Sequence, residues 1–79
     1  MIYKAECPEG MSIRRSAWTY THAVMWVRDG VVVNTNWCAS YELAEKQSRR
    51  PHFPFWTPEI VPVVRFGFEN SREGMVVRE

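Results

Sequence analysis

The segment 18–37 contains two strand-like runs that are rich in β-branched and aromatic hydrophobic residues and flank Asp29-Gly30. Asp-Gly adopts at low steric cost the positive φ angles that a type I′ turn needs, so we predict a β-hairpin in which Arg28 pairs with Val31. In that register the larger, aromatic face carries Tyr20, His22, Val24, Trp26, Val33, Thr35 and Trp37. The opposite face carries Thr21, Ala23, Met25, Val27, Val32, Asn34 and Asn36. We expect the aromatic face to meet the core, with His22 opposite Trp37.

The spacing of apolar residues changes after the hairpin and predicts a helix over 41–49. Ser40 is placed to act as its N-cap, because the hydroxyl can accept from the free amides of the first turn. Pro51 ends the helix, since proline disfavours helical geometry at the preceding residue. A helix of about nine residues is not stable alone in water, so it must pack on a sheet. The stripe expected to make that contact is Tyr41, Leu43, Ala44 and Gln47.

The segment 51–58 combines three prolines with Phe53, Phe55 and Trp56. The prolines exclude a helix or a central strand, so we expect an extended path or polyproline-like turns. Two interpretations of the aromatic residues stay open. They cover one end of the small core, or they form a ridge that docks on a partner, since proline lowers the ordering cost of binding.

Further strand signals predict the rest of a sheet. They lie at 2–7, 59–69 and 75–78, with turn signals at 7–10 and 70–74. The segment 11–16 is expected to be either extended or irregular, and Pro62 is typical of an edge strand or a strand start. Residues 1–79 therefore predict one α+β domain, an antiparallel sheet of four to five strands with one short helix (β-β-β-α-β-β) packed on one face.

Composition narrows the function classes. The chain of 79 residues is 46% hydrophobic, with four Trp, four Phe and three Tyr, and carries a net charge of +1. Aromatic residues strengthen a small core and are also favoured at interfaces. A charge so close to neutral argues against nonspecific nucleic-acid binding, which usually shows a basic excess. No apolar run approaches the roughly 18 residues of a membrane span, and the N-terminal residues lack a signal-peptide layout, so we expect a cytoplasmic protein.

Reactive residues are scattered along the chain and predict no catalytic or metal centre. Cys7, His22, Cys38 and His52 lack the close pairs that structural zinc sites use, so no metal or cofactor is expected. Reduced, structural cysteines are the preferred interpretation, with a disulfide as the alternative. Cys38 precedes the predicted helix, where amides can lower a thiol pKa, but no acid or histidine stands beside it. Phosphate-binding and serine-hydrolase motifs are also absent, so we expect a protein that is not an enzyme.

Cations and aromatic rings are interleaved at the end of the predicted helix and in the loop after it. The candidate partner-binding residues are Arg49, Arg50, His52, Phe53, Phe55 and Trp56. Arginine and aromatic side chains dominate protein interfaces, so this pattern predicts a non-enzymatic protein-binding module. Single-stranded nucleic acid is the alternative partner, because stacking plus backbone charge uses the same residue types. A homodimer through a sheet edge is compatible with either partner.

In size, composition and the strand, hairpin and helix layout over Val31 to Arg50, the chain resembles small accessory proteins of bacteriophages and mobile elements. Anti-CRISPR proteins are one group of these. The resemblance carries no residue motif. It implies an inhibitor that occludes the surface of a host defence complex without chemistry. A bacterial domain of another role is the alternative.

Overall fold

The computed structural model describes residues 1–50 and 54–66, which form five antiparallel strands and one helix. In chain order they are β1 (Ile2–Cys7), β2 (Gly10–Arg15), β3 (His22–Arg28), β4 (Val31–Cys38), α1 (Tyr41–Ser48) and β5 (Thr57–Phe66). The α+β class is confirmed. The segment 11–16 proves to belong to a full strand, so the described order is β-β-β-β-α-β. The predicted turn 70–74 and strand 75–78 lie outside the described residues.

The sheet is more closed than predicted. Its strand order is β2-β1-β5-β3-β4, and the two outer strands, β2 and β4, curl towards each other. The hydroxyl oxygens of Ser12 and Thr35 lie 2.6 Å apart across this gap. Gly10 allows the close approach, because a Cβ atom there would lie 3.1 Å from a methyl carbon of Val32. The result is nearly a barrel, with an inner face and an outer face, instead of an open sheet.

The turn between β3 and β4 confirms the hairpin prediction, but the predicted faces are wrong. Asp29 and Gly30 have φ angles of 53° and 77°, and Arg28 pairs with Val31. The register then shifts between Trp26 and Val27, so that Val33 becomes an extra residue, as in a β-bulge. A one-residue shift moves every following side chain to the other face.

The bulge changes the partners of the predicted aromatic face. Trp26 pairs with Asn34, and His22 pairs with Cys38 instead of Trp37. Thr35 and Trp37 therefore share a face with Met25 and Ala23, their partners across the ladder. The hairpin was expected to divide into one core face and one polar face. It instead carries aromatic and polar residues on both.

Both faces of β3 are buried, each in a small hydrophobic core of its own. The inner core lies inside the barrel and consists of Ala5, Cys7, Ala23, Met25 and Val27, with Val32, Trp37, Val61 and Val63 packed against them. The outer core lies between the sheet and α1 and consists of Val24, Trp26, Cys38 and Ala44, with Trp56 and Ile60. Alternation along β3 sends successive side chains to the two cores.

Strand β5 is central in the sheet, so Pro62 marks neither the edge strand nor the strand start that was predicted. The prediction that prolines exclude all of 51–58 from a central strand is also wrong, because β5 begins at Thr57 and Pro58 pairs with Trp26. The first half of β5 pairs with β3 and its second half, from Val63 onwards, pairs with β1. The Val63 amide donates to the Thr21 carbonyl at 2.9 Å, and hydrogen-bonded pairs alternate along an antiparallel ladder. The missing amide of Pro62 therefore faces away from β3, at the point where the ladder to β1 ends. A proline fits there without losing a hydrogen bond to β3.

Helix α1 begins and ends close to its predicted bounds. Ser40 is the N-cap, with its hydroxyl accepting from the Leu43 amide at 3.2 Å. Ala44 is fully buried against the sheet, whereas Tyr41 and Leu43 remain about half exposed, so the predicted packing stripe is narrower than expected. The described residues contain no helix that is both long and apolar enough to cross a membrane.

Candidate functional site

The predicted partner-binding residues fall in the connection between α1 and β5. Arg49 caps the C-terminus of α1, and Arg50 follows it, both with exposed side chains. His52 and Phe53 lie outside the described residues. Phe55 and Trp56 come directly before β5, next to the end of β3 with which β5 starts to pair.

Neighbouring residues Phe55 and Trp56 have different roles in the structure. Trp56 is half-buried and belongs to the outer core, with its ring centroid 6.4 Å from that of Trp26. Phe55 is 74% exposed. Of the two interpretations left open for the loop, Trp56 fits the cover over the core, whereas Phe55 is available to a partner. The anchored tryptophan fixes the chain next to the exposed ring.

Arg28 joins the loop to the tip of the hairpin. Its guanidinium carbon lies 5.8 Å from the centroid of the Phe55 ring, within range of a cation–π contact. Across the ladder, its partner Val31 is 57% exposed. Neither Arg28 nor Val31 was predicted as a site residue, because both are far from the loop along the chain. Their only sequence signal is their position beside the Asp29-Gly30 turn.

Two of the arginines named above, Arg28 and Arg49, each form an ion pair with an acidic residue. Asp29 lies 3.6 Å from Arg28, and Glu45 lies 3.5 Å from Arg49. In each pair the basic side chain is more than half exposed, and solvent-exposed ion pairs contribute little to stability. The two arginines can therefore exchange these carboxylates for those of a partner at low cost. Arg28 contacts Phe55 and pairs with Val31, while Arg49 and Arg50 precede Phe55 in the connection from α1 to β5; we call these five residues the tip surface.

A second exposed aromatic residue, Trp18, lies before β3. It is 74% exposed, and its amide donates to the Ser16 hydroxyl at 3.0 Å. Arg14, near the end of β2, has its guanidinium carbon 5.8 Å from the centroid of the Tyr20 ring. Tyr20 in turn contacts Tyr3, with 5.3 Å between ring centroids. Trp18 thus precedes the start of β3 along the chain, whereas Phe55 lies beside Arg28 at the end of that strand.

The two cysteines lie apart, whereas His22 lies directly opposite Cys38 in the ladder between β3 and β4. Cys7 belongs to the inner core and Cys38 to the outer core, so the sheet lies between their free thiols. Burial raises the pKa of the Cys38 thiol, which is the direction opposite to activation by the amides at the start of α1. The His22 ring contacts Tyr41, with centroids 5.4 Å apart, instead of the predicted Trp37. His52 is outside the described residues.

An acidic cluster occurs where the sequence shows only scattered acids. The donor atoms of Cys7, Glu9 and Glu59 all lie within 4.8 Å of one another. Glu9 is in the turn between β1 and β2, and Glu59 is on β5. A structural zinc site normally has four protein ligands, and within residues 1–50 and 54–66 this cluster offers three.

Comparisons with known protein families, with curated proteins and with solved structures found no match to this chain. What it does has to follow from its own residues.

Proposed function

We propose that this chain is a non-enzymatic protein-binding module that uses the tip surface to hold a protein partner. The observation that carries the proposal is the exposure of Phe55 next to the half-buried Trp56. A large apolar ring held in water by an anchored neighbour has little freedom left to lose on binding. Aromatic and arginine side chains with this preorganisation are the usual centres of binding energy in interfaces.

The chemistry of the tip surface defines the partner it fits. Phe55 and Val31 provide an apolar centre, and the guanidinium groups of Arg28 and Arg49 provide two cations with exchangeable carboxylates. A complementary protein presents an apolar pocket with acidic side chains at its rim. Occlusion of such a site on a host defence complex, in the manner of an anti-CRISPR inhibitor, is the specific form of this proposal that the resemblance suggests.

The experiment is a capture from nuclease-treated bacterial lysate with the immobilised chain, followed by mass spectrometry. Phe55→Ala and Arg28→Ala are compared with the native chain and with Val64→Ala, which removes an apolar side chain, 54% exposed, from the second half of β5. We expect Phe55→Ala to weaken capture at least roughly tenfold and Val64→Ala to leave it unchanged. Retention of every captured protein by both tip variants overturns the assignment of the surface.

Single-stranded nucleic acid is the second candidate, favoured by the two exposed rings of Trp18 and Phe55 and by Arg28, whose guanidinium lies against Phe55. Separate aromatic platforms allow bases to stack along an extended strand. In that case affinity for an oligonucleotide falls steeply with salt, because counterions are released on binding. A titration that shows no tryptophan fluorescence change at low salt removes this candidate, and Trp18→Ala tests which ring reports the binding.

A further inference from the structure

The turn between β1 and β2 meets β5 through side chains, beyond the last backbone pair between β1 and β5. Pairing between β1 and β5 covers Ile2 to Ala5 and ends at the pair Ala5–Val63. Beyond that point, a carboxyl oxygen of Glu9 in the turn lies within 4.8 Å of a carboxyl oxygen of Glu59. Two carboxyl groups this close can share a hydrogen bond only while one of them keeps its proton.

Solvent does not substitute for this bond. Oε1 of Glu9 is shielded from water and has no hydrogen-bond donor in the part of the chain that the structure describes. The third polar group within 4.8 Å, the Cys7 thiol, belongs to a side chain that is only 8% exposed. When Glu9 and Glu59 are both ionised, two negative charges therefore face each other within 4.8 Å, and Oε1 of Glu9 is left without water or a donor among the described residues.

The described groups around the pair do not neutralise it. Glu59 lies opposite Met25 of β3, and Gly10, which starts β2, approaches Val32 of β4. These neighbours carry no charge. The pKa of Glu59 is raised by its hydrogen bond to Glu9, by burial and by the charge of Glu9, with no lowering from any described Lys, Arg or His. The Cys7 pKa is also raised, chiefly by burial.

We propose that Glu9 and Glu59 form a proton-dependent latch, in which a shared proton fastens the turn between β1 and β2 to β5 and loss of that proton loosens this end of the barrel. The ladder of β1 and β2 stays paired through Cys7–Gly10, so the hairpin moves as a unit. The latch is independent of what the tip surface binds.

The direction of the pH dependence follows from the raised pKa of Glu59. An acid whose pKa is higher in the folded chain than its ordinary value of 4.5 binds protons more tightly when folded. Stability from this pair is fully present below pH 4.5, decreases as the pH rises through the folded pKa, and is then lost. The contribution of this pair therefore makes the chain unfold more readily at pH 8 than at pH 5.

The test measures chemical unfolding between pH 4.5 and 8 for the native chain, Glu59→Gln and Glu6→Gln. The side-chain amide introduced by Glu59→Gln can donate to Glu9 at every pH, so it mimics the protonated carboxyl. We expect Glu59→Gln to lose the rise of the unfolding constant with pH and to be more stable than the native chain at pH 8. Glu6 is an exposed residue of β1, with a side chain 64% accessible, and its variant should keep the native pH dependence.

A carboxyl titration followed by NMR gives an independent readout if Glu59→Gln folds poorly. The proposal requires a Glu59 midpoint above 4.5 in the native chain and a lower midpoint in Glu9→Gln, where the charge and the shared proton are gone. Hydrogen exchange should also show amides of the hairpin β1–β2 losing protection first as the pH rises. A native pH slope in Glu59→Gln, or a Glu59 midpoint unaffected by Glu9→Gln, overturns the latch.

Discussion

The indole N–H of Trp26 donates a hydrogen bond of 2.6 Å to Oδ1 of Asn36, its diagonal neighbour on β4. The bulge makes this bond possible, because it brings Asn34 and Asn36 to the face that carries Trp26. Trp26 is only 2% exposed, so an indole of this burial needs a polar partner. The Asn36 side chain thus completes the outer core instead of facing water.

Replacing Asn36 should therefore destabilise the chain. We expect Asn36→Ala to cost about 1–3 kcal/mol, because the Trp26 indole loses this acceptor in a site poorly reached by water. The measurement is chemical denaturation. Asn34→Ala is the control, since Asn34 is an exposed residue on the same face of the same strand. Equal losses from the two variants would argue against a specific role for the bond to Asn36.

Tryptophans of the chain should differ sharply in their contribution to stability. Trp26→Ala removes a buried ring from the outer core and should cost roughly 3–5 kcal/mol, enough to unfold much of so small a domain. Trp18→Ala removes a ring that is 74% exposed and should change stability by less than about 0.5 kcal/mol. Thermal unfolding followed by circular dichroism compares the two. Near-native melting of Trp26→Ala contradicts the outer core.

Substitutions of the turn residue Gly30 test only the requirement for a positive φ angle at this position. Its φ of 77° is unfavourable for other side chains, while a Cβ atom added there meets nothing within 4 Å. Gly30→Val should therefore cost at least about 1–2 kcal/mol through strain and not through a clash. Gly30→Asn, which tolerates positive φ better, should cost less. If both variants unfold at the denaturant concentration of the native chain, the type I′ turn is not needed for the fold.

The contact between Ser12 and Thr35 tests closure of the barrel. A double-mutant cycle of Ser12→Ala and Thr35→Val should give a coupling of about 0.5–1.5 kcal/mol, because each hydroxyl bonds the other at 2.6 Å. A cycle of Ser12→Ala with Ser48→Ala, on α1, should give no coupling. Additive effects in the first cycle would mean that β2 and β4 do not touch in solution.

Local signals in the sequence were sufficient for the individual elements. Asp29-Gly30 predicts its turn, because few dipeptides accept two positive φ angles, and Ser40 with Pro51 brackets α1 through capping and a missing amide. These features depend on residues within a few positions of one another. Strand β2 is not predicted clearly from the sequence, because Met11 and Ile13, which the structure leaves exposed, give no signal of a buried face.

The candidate site was predicted only in part, because some of its residues are distant from one another along the chain. Arg49, Arg50 and Phe55 are close together in the chain, so their mixture of charge and aromaticity is visible in the sequence. Arg28 reaches Phe55 only because β5 pairs with β3, a contact between residues that are distant along the chain. The different roles of Phe55 and Trp56 also depend on where Trp26 lies.

Among the described residues, the sequence by itself determined the turns at 7–10 and 29–30, the helix and the hairpin strands, since those follow from local backbone preferences. Tertiary structure alone decided the bulge at Val33, the central position of β5 and the meeting of Glu9 with Glu59. Each depends on packing between segments far apart in the chain. The curling of the sheet, which brings Gly10 beside Val32, buries one face of β3, and α1 packs on the other face. No local pattern in the sequence records that both faces will be covered.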